Sequence, residues 1–85
     1  MIYKVEFLPQ VIKTLEKLDK YTKRIIIDWI SKNLEGTNDP HRLGKPLFGD
    51  RNGQWRYRLG DYRILALIEQ SKVIVLSIGI GHNRK

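Results

Sequence analysis

Gly53-Gln54-Trp55-Arg56-Tyr57-Arg58-Leu59-Gly60-Asp61-Tyr62-Arg63 is the stretch that decides how this chain folds. Trp55, Tyr57 and Leu59 alternate with Arg56 and Arg58. A period of two marks a strand with one buried face and one open face. Gly60-Asp61 predicts a two-residue hairpin loop, with Gly60 at the first central position that a type II′ turn requires. Tyr62 to Glu69 is then the returning strand. In that register Leu59 lies opposite Tyr62 and Arg58 opposite Arg63, so Arg56, Arg58 and Arg63 share the open face. Directly opposed like charges cost roughly 0.2–1 kcal/mol. A bound phosphate would offset that cost, because guanidinium forks match phosphate oxygens and stay charged at any working pH. The alternative is a solvated face whose arginines deter edge-to-edge aggregation.

Beyond this hairpin, Lys72 to Ile80 is a nearly continuous apolar run, expected to be a central strand covered on both faces. Gly79-Ile80-Gly81-His82-Asn83-Arg84-Lys85 then closes the chain. Upstream of the hairpin, Thr37 to Arg51 is a loop by composition, broken at Pro40, Gly44, Pro46 and Gly49. It carries His41, Arg42, Lys45 and Arg51, a rim suited to guiding phosphates or an ordinary solvated loop. Leu47 and Phe48 are expected to pin it to the core.

The first third of the chain is helical with a strand before it. Ile2 to Phe7 alternates as a short strand. Pro9 suits a first helical turn, and Val11, Ile12, Leu15 and Leu18 recur at helical spacing. Thr22 is the expected N-cap of a second helix, whose apolar face carries Ile25, Ile26, Ile27, Trp29, Ile30 and Leu34. Gly36 suits its C-terminal stop. Trp29 and the isoleucines are read as core. The fold class is therefore α+β: an antiparallel twisted sheet of about four strands with an N-terminal helical hairpin on one face, in the order β-α-α-β-β-β. Trp55, Tyr57 and Leu59 should face the helices, leaving the arginines uncovered.

The chain's 85 residues bound a single domain, residues 1–85, with one thin core. With 41% hydrophobic and 29% charged residues the composition is that of a globular protein. The absence of cysteine excludes disulfides and fits a reducing compartment. No apolar run has the length of a membrane span and no signal peptide begins the chain, so the expectation is a cytoplasmic protein without a membrane partner. A formal charge of +7 points to a polyanionic partner, either nucleic acid or an acidic protein.

Catalytic candidates are few. The nine carboxylates are scattered, and no cluster has metal-ligand spacing, so neither metal nor cofactor is expected. Cleavage of RNA needs neither, because the substrate's own 2′-OH attacks the adjacent phosphate. The enzyme must orient the strand, stabilise added negative charge and move two protons. Arginine serves the charge but is a poor acid or base. His82 is the better proton-transfer candidate, with a surface C-terminal histidine as its bland reading. His41 is the weaker one.

The basic hairpin Gly53–Ile64 resembles that of RelE/ParE-superfamily toxins. The Lys-x-Leu-x-Lys-Leu segment at Lys13–Leu18, the helical hairpin and the terminal Ile80-Gly81-His82-Asn83-Arg84 resemble the same family. In the RelE branch, such proteins are toxins of type II toxin–antitoxin pairs that cut mRNA in the ribosomal A site, without metal, leaving a cyclic phosphate. The resemblance implies catalytic roles for Arg56, Arg58, Arg63, His82 and Arg84, with Lys45, Arg51 and Lys85 as further RNA contacts. It also implies a cognate antitoxin, with mRNA and ribosomal RNA as the other partners.

The sequence departs from the family at two points. Some relatives have lysines where Arg56 and Arg58 stand, and many carry a tyrosine a few residues beyond the Gly-His-x-Arg pattern, whereas the sequence ends at Lys85. Two further readings therefore stand beside the endoribonuclease. One is a ParE-like poison of DNA gyrase. The other is a catalytically weakened module that binds RNA or antitoxin.

Overall fold

The computed structural model describes residues 2–80. In chain order it contains β1 (Lys4–Phe7), α1 (Pro9–Lys17), α2 (Lys20–Asn33), β2 (Lys45–Pro46), a 3-10 turn at Gly49–Arg51, β3 (Gln54–Leu59), β4 (Tyr62–Glu69) and β5 (Lys72–Ile80). The strands form one sheet in the order β1-β5-β4-β3-β2.

The hairpin forms in the register that the alternation dictates, with Leu59 opposite Tyr62 and Arg58 opposite Arg63. Gly60 takes a φ of +58° while Asp61 does not enter the positive region, as a type II′ turn requires. The α+β class holds, and the sheet is larger and less uniform than the sequence indicated. β2 adds a fifth strand, pairing Lys45 with Arg56 and Pro46 with Trp55. Gly44 and Pro46 disguise it as loop, yet proline is acceptable on a sheet edge, where its missing N–H faces no neighbour.

β1 runs parallel to β5. No hairpin constrains that pair, because the rest of the chain separates them. The chain leaves β1 directly into α1, which lies back over β5: the Leu8 N–H donates to the Val75 carbonyl, and Gln10 Nε2 donates to the Leu76 carbonyl at 3.1 Å. The outer edge of β1 is capped rather than left open. Tyr3 exchanges backbone bonds with Gly36 and Thr37, and the Val5 N–H donates to Glu35 Oε1 at 2.9 Å.

Asp19, not Thr22, caps α2. Its carboxylate accepts from both the backbone N–H and the hydroxyl of Thr22, at 3.1 and 2.7 Å, a pair of bonds that Thr22 could not itself supply. Those bonds hold the Asp19 carboxyl below its usual range. Val11, Leu15, Ile26, Ile30 and Leu34 from the helical layer close over Tyr57, Ile64, Ala66, Val73, Val75 and Ile78 from the sheet. Both helices lie on one face. β5 is accordingly interior to the sheet, second from its β1 edge, but buried on that face alone, and Ile74 and Leu76 remain half-buried. Its apolar run overstated its burial.

Tyr57 fixes the long loop. The side chain is fully buried, its ring tilts against Trp29 at a centroid distance of 5.8 Å, and its hydroxyl donates to the Pro40 carbonyl at 2.6 Å. Gly44 passes so close that a Cβ there would lie 2.8 Å from the Tyr57 ring. Trp55 adds an edge-on contact with His41, centroids 4.6 Å apart. Phe48 pins nothing: it is 81% exposed, because the chain turns into the 3-10 segment before its ring can reach the core. Leu47 is half-buried and extends the β2 ladder through its N–H to the Gln54 carbonyl.

Burial, and secondarily the Asp39 carboxylate, push the Tyr57 phenol from an ordinary 10 up to about 12. The neutral phenol therefore contributes its full stabilisation below pH 10 and loses it as pH rises through 12. Tyr57→Phe leaves the Pro40 carbonyl unsatisfied and should cost about 1–3 kcal/mol in urea unfolding at neutral pH. The parent's advantage over that variant should shrink across pH 10 to 12. An advantage that stays constant there would contradict a buried, bonded phenol.

Candidate nucleic-acid interface

The face of the sheet away from the helices is built from three rows set by strand register. Lys45, Arg56, Leu65 and Ser77 form one row across β2, β3, β4 and β5. Arg58, Arg63 and Gly79 form the next, and Gln54, Leu67 and Ile74 the third. The sequence expectation that Arg56, Arg58 and Arg63 share a face is met, and the register adds Lys45 to them.

A bulge decides what else stands on this face. Leu65 pairs with Ser77 but Ala66 pairs with Val75, so Leu76 is an extra residue on β5. Val73 and Val75 point into the core before the bulge, and Ile78 does so after it. Without the extra residue, Ser77 and Gly79 would follow Val75 inward. With it, they turn out beside the arginines. The continuous run Lys72–Ile80 hides this change of phase, which is why sequence reasoning missed Ser77 and Gly79 as part of the site; Leu65 shares the face of Arg63 by the period of two alone.

Two hollows lie on the face. The larger, about 320 Å³, has Arg51, Arg56 and Arg63 around it, with Leu65, Ser77 and Gly79 among its other lining residues. The smaller, about 120 Å³, is lined by Leu43, Lys45, Arg56 and Arg58. Arg56 borders both. It is half-buried, as is Arg63, while Arg58, Arg51 and Lys45 are exposed.

No protein carboxylate neutralises this cluster among the described residues. The ion pairs among the described residues are Lys72 Nζ–Glu6 Oε2 at 3.4 Å, at the β1 end of this face where Glu6 pairs with Ile74, and His41 Nδ1–Asp39 Oδ1 at 3.7 Å in the loop; neither includes an arginine of the cluster. Five cations thus border one shallow surface with their hydrogen-bonding capacity turned outward, an arrangement suited to phosphate oxygens. Among the described residues no three His, Cys, Asp or Glu side chains converge as a metal site. No helix among them is long and apolar enough to cross a membrane.

The structure separates His41 from the arginines. Its partner Trp55 alternates with Arg56 and belongs to the helix-facing side of β3. His82, Arg84 and Lys85 lie outside the described residues.

Residues 5–85 match the family model described as ParE toxin of type II toxin-antitoxin system, parDE. The chain is similar to Toxin RelE of Mycobacterium tuberculosis, 33% identical over 67 residues that span 79% of this chain and 67% of that protein. Among solved structures it resembles a chain of the toxin-antitoxin complex RelBE2 from Mycobacterium tuberculosis, with a TM-score of 0.83, 27% identity, and 94% and 92% of the two chains covered. It also resembles a chain of the archaeal RelE-RelB complex from Pyrococcus horikoshii, at TM-score 0.70 and 27% identity over 94% and 96% of the chains. The chain belongs to the RelE/ParE family of type II toxins.

The unpaired opposition of Arg58 and Arg63 has a stability consequence. Arg58→Ala removes a like-charge neighbour and should leave urea stability unchanged or raise it by roughly 0.2–1 kcal/mol. A clear loss of stability would mean that Arg58 supports the fold rather than a ligand.

Proposed function

We propose that this toxin is a ribosome-dependent mRNA endoribonuclease that works without metal and uses the substrate's own 2′-OH as nucleophile. The single observation that carries this reading is the arginine face: Arg56, Arg58 and Arg63, with Lys45 and Arg51 beside them, border two hollows that share Arg56 and have no carboxylate partner among the described residues. Likeness to RelE supports the same reading.

In this mechanism Arg56 and Arg63 grip the scissile phosphate from two strands and fix its position against the ribose that precedes it. The 2′-oxygen forms a bond to phosphorus while the bond from phosphorus to the 5′-oxygen breaks, leaving a 2′,3′-cyclic phosphate and a 5′-hydroxyl. The transition state carries an additional negative charge on the phosphoryl oxygens, and pre-placed guanidinium groups stabilise it more than they stabilise the ground state. Two protons move: one leaves the 2′-OH and one reaches the departing 5′-oxygen. Arginine, with a pKa above about 12, serves neither transfer well. His82 is the candidate for one of them, and Arg84 and Lys85 would extend the cationic surface toward the strand. Arg58, Lys45 and Arg51 hold flanking phosphates. The partners are mRNA and ribosomal RNA in the A site and a cognate antitoxin, as the antitoxin complexes of the related toxins suggest. Such a toxin acts in the cytoplasm.

A second reading has an observation of its own, since the matching family model is named for ParE. A ParE-like poison of DNA gyrase would need no phosphate-gripping face and would trigger DNA-damage signalling without cutting RNA. Primer extension on an mRNA under translation separates the two. The parent chain should produce cuts in the coding region that require ribosomes, and Arg63→Ala should reduce them by at least about 100-fold, in line with losing a transition-state charge donor. Cuts by the parent that persist in His82→Ala would assign proton transfer to another group. No cuts from the parent would overturn the nuclease reading.

A further inference from the structure

Among the described residues nothing requires glycine at position 79. It lies inside β5 in extended backbone, outside the positive-φ region that favours glycine. A Cβ built there would meet nothing within 4 Å among the described residues. Its cross-strand partner is Arg63, so the vacant position does not serve to house that guanidinium stem either. Glycine within a strand weakens it, and one physical use for it is to let a ligand or another backbone come close.

The surroundings describe that ligand. Gly79 lines the larger hollow, whose volume of about 320 Å³ is at the lower end for a small-molecule site. Arg63 and Arg56 stand on one side, Leu65 gives an apolar contact, and Ser77 is the one uncharged hydrogen-bonding side chain on the lining. A bare phosphate would need the cations alone. An apolar wall, a hydroxyl and an open floor beside them fit a unit that has both a flat apolar face and polar edges. The bulge at Leu76 is what turns Ser77 and Gly79 to this face, and bulges commonly re-aim side chains beside binding sites.

We propose that the trough over Gly79 seats the base and sugar of one nucleotide next to the phosphate gripped by Arg56 and Arg63, and that the missing side chain at Gly79 determines what can enter it. The inference rests on the ribonuclease reading for the identity of the strand as RNA. The seat itself is a property of the sheet.

Gly79→Val tests it, because valine is favoured in strands and its Cβ would meet no described atom within 4 Å while its branches project into the trough. Three measurements are made on the full chain: urea stability, competition by inorganic pyrophosphate, and anisotropy of a labelled single-stranded DNA hexanucleotide, which lacks the 2′-OH and cannot be cut. The variant should be as stable as the parent or more so, bind pyrophosphate equally, and bind the hexanucleotide at least about tenfold more weakly. Cleavage of translated mRNA should fall by a similar factor. Equal hexanucleotide binding by parent and variant would overturn the seat, as would a matching loss of pyrophosphate binding. If the parent binds the hexanucleotide in a Gly79-dependent way yet cuts no mRNA, the seat stands and the ribonuclease reading falls. If Gly79→Val cuts mRNA as the parent does, the seat falls and the ribonuclease reading stands.

Discussion

The buried Tyr57 hydroxyl bonded to the Pro40 carbonyl is the constraint on which the functional face depends. In a strand the side-chain period is two, so fixing one residue inward fixes its neighbours outward. Tyr57 sits between Arg56 and Arg58. Slipping β3 by one residue would bury two guanidinium groups against Trp29 and the helix core and expose Tyr57 and Trp55. The cost of dehydrating an unpaired charge forbids that register. The same bond ties the 37–44 loop to the sheet, with Gly44 pressed on the Tyr57 ring, and the loop runs directly into β2. Lys45 reaches its place opposite Arg56 because that loop is held.

The sheet therefore does two different jobs with its two faces. One face meets α1 and α2 through Tyr57, Ile64, Ala66, Val73 and Val75, and supplies the stability. The other gathers cations that repel one another and have no carboxylate to neutralise them among the described residues. Such a face is tolerable because the opposite face is firmly packed, and on the proposed function it would gain favourable energy when a polyanion arrives. Antitoxin and RNA are then expected to compete for the same charge, with salt weakening both.

Much of this was legible in the chain itself. The Trp55–Leu59 alternation and Gly60-Asp61 give the hairpin, its register and the shared face of Arg56, Arg58 and Arg63. Helical spacing from Val11 to Leu34 gives the covering layer. What escaped the sequence has physical causes. β2 is only two residues long and contains a proline, so no periodicity can announce it. The parallel sense of β1 depends on contacts between the chain's two ends, which no local pattern encodes. Asp19 precedes Thr22 by three residues and was hidden as a linker residue. Most consequential is the bulge at Leu76, because an apolar run carries no alternation from which a phase change could be read. Nothing in the run therefore singled out Ser77 or Gly79 as facing outward. His41, which composition placed on a phosphate rim, is diverted by its contacts with Trp55 and Asp39.

The central claim is that this basic face cuts RNA by positioning the substrate's own nucleophile. The most direct measurement replaces a single 2′-OH by hydrogen at the cleaved nucleotide of an mRNA and compares its fate with the unmodified message during translation. Loss of the cut at that nucleotide alone, with cutting retained at unmodified ones, is the expected result. A cut that persists at the 2′-deoxy position would mean that water or a protein group attacks the phosphate, and the mechanism given for Arg56 and Arg63 would be wrong.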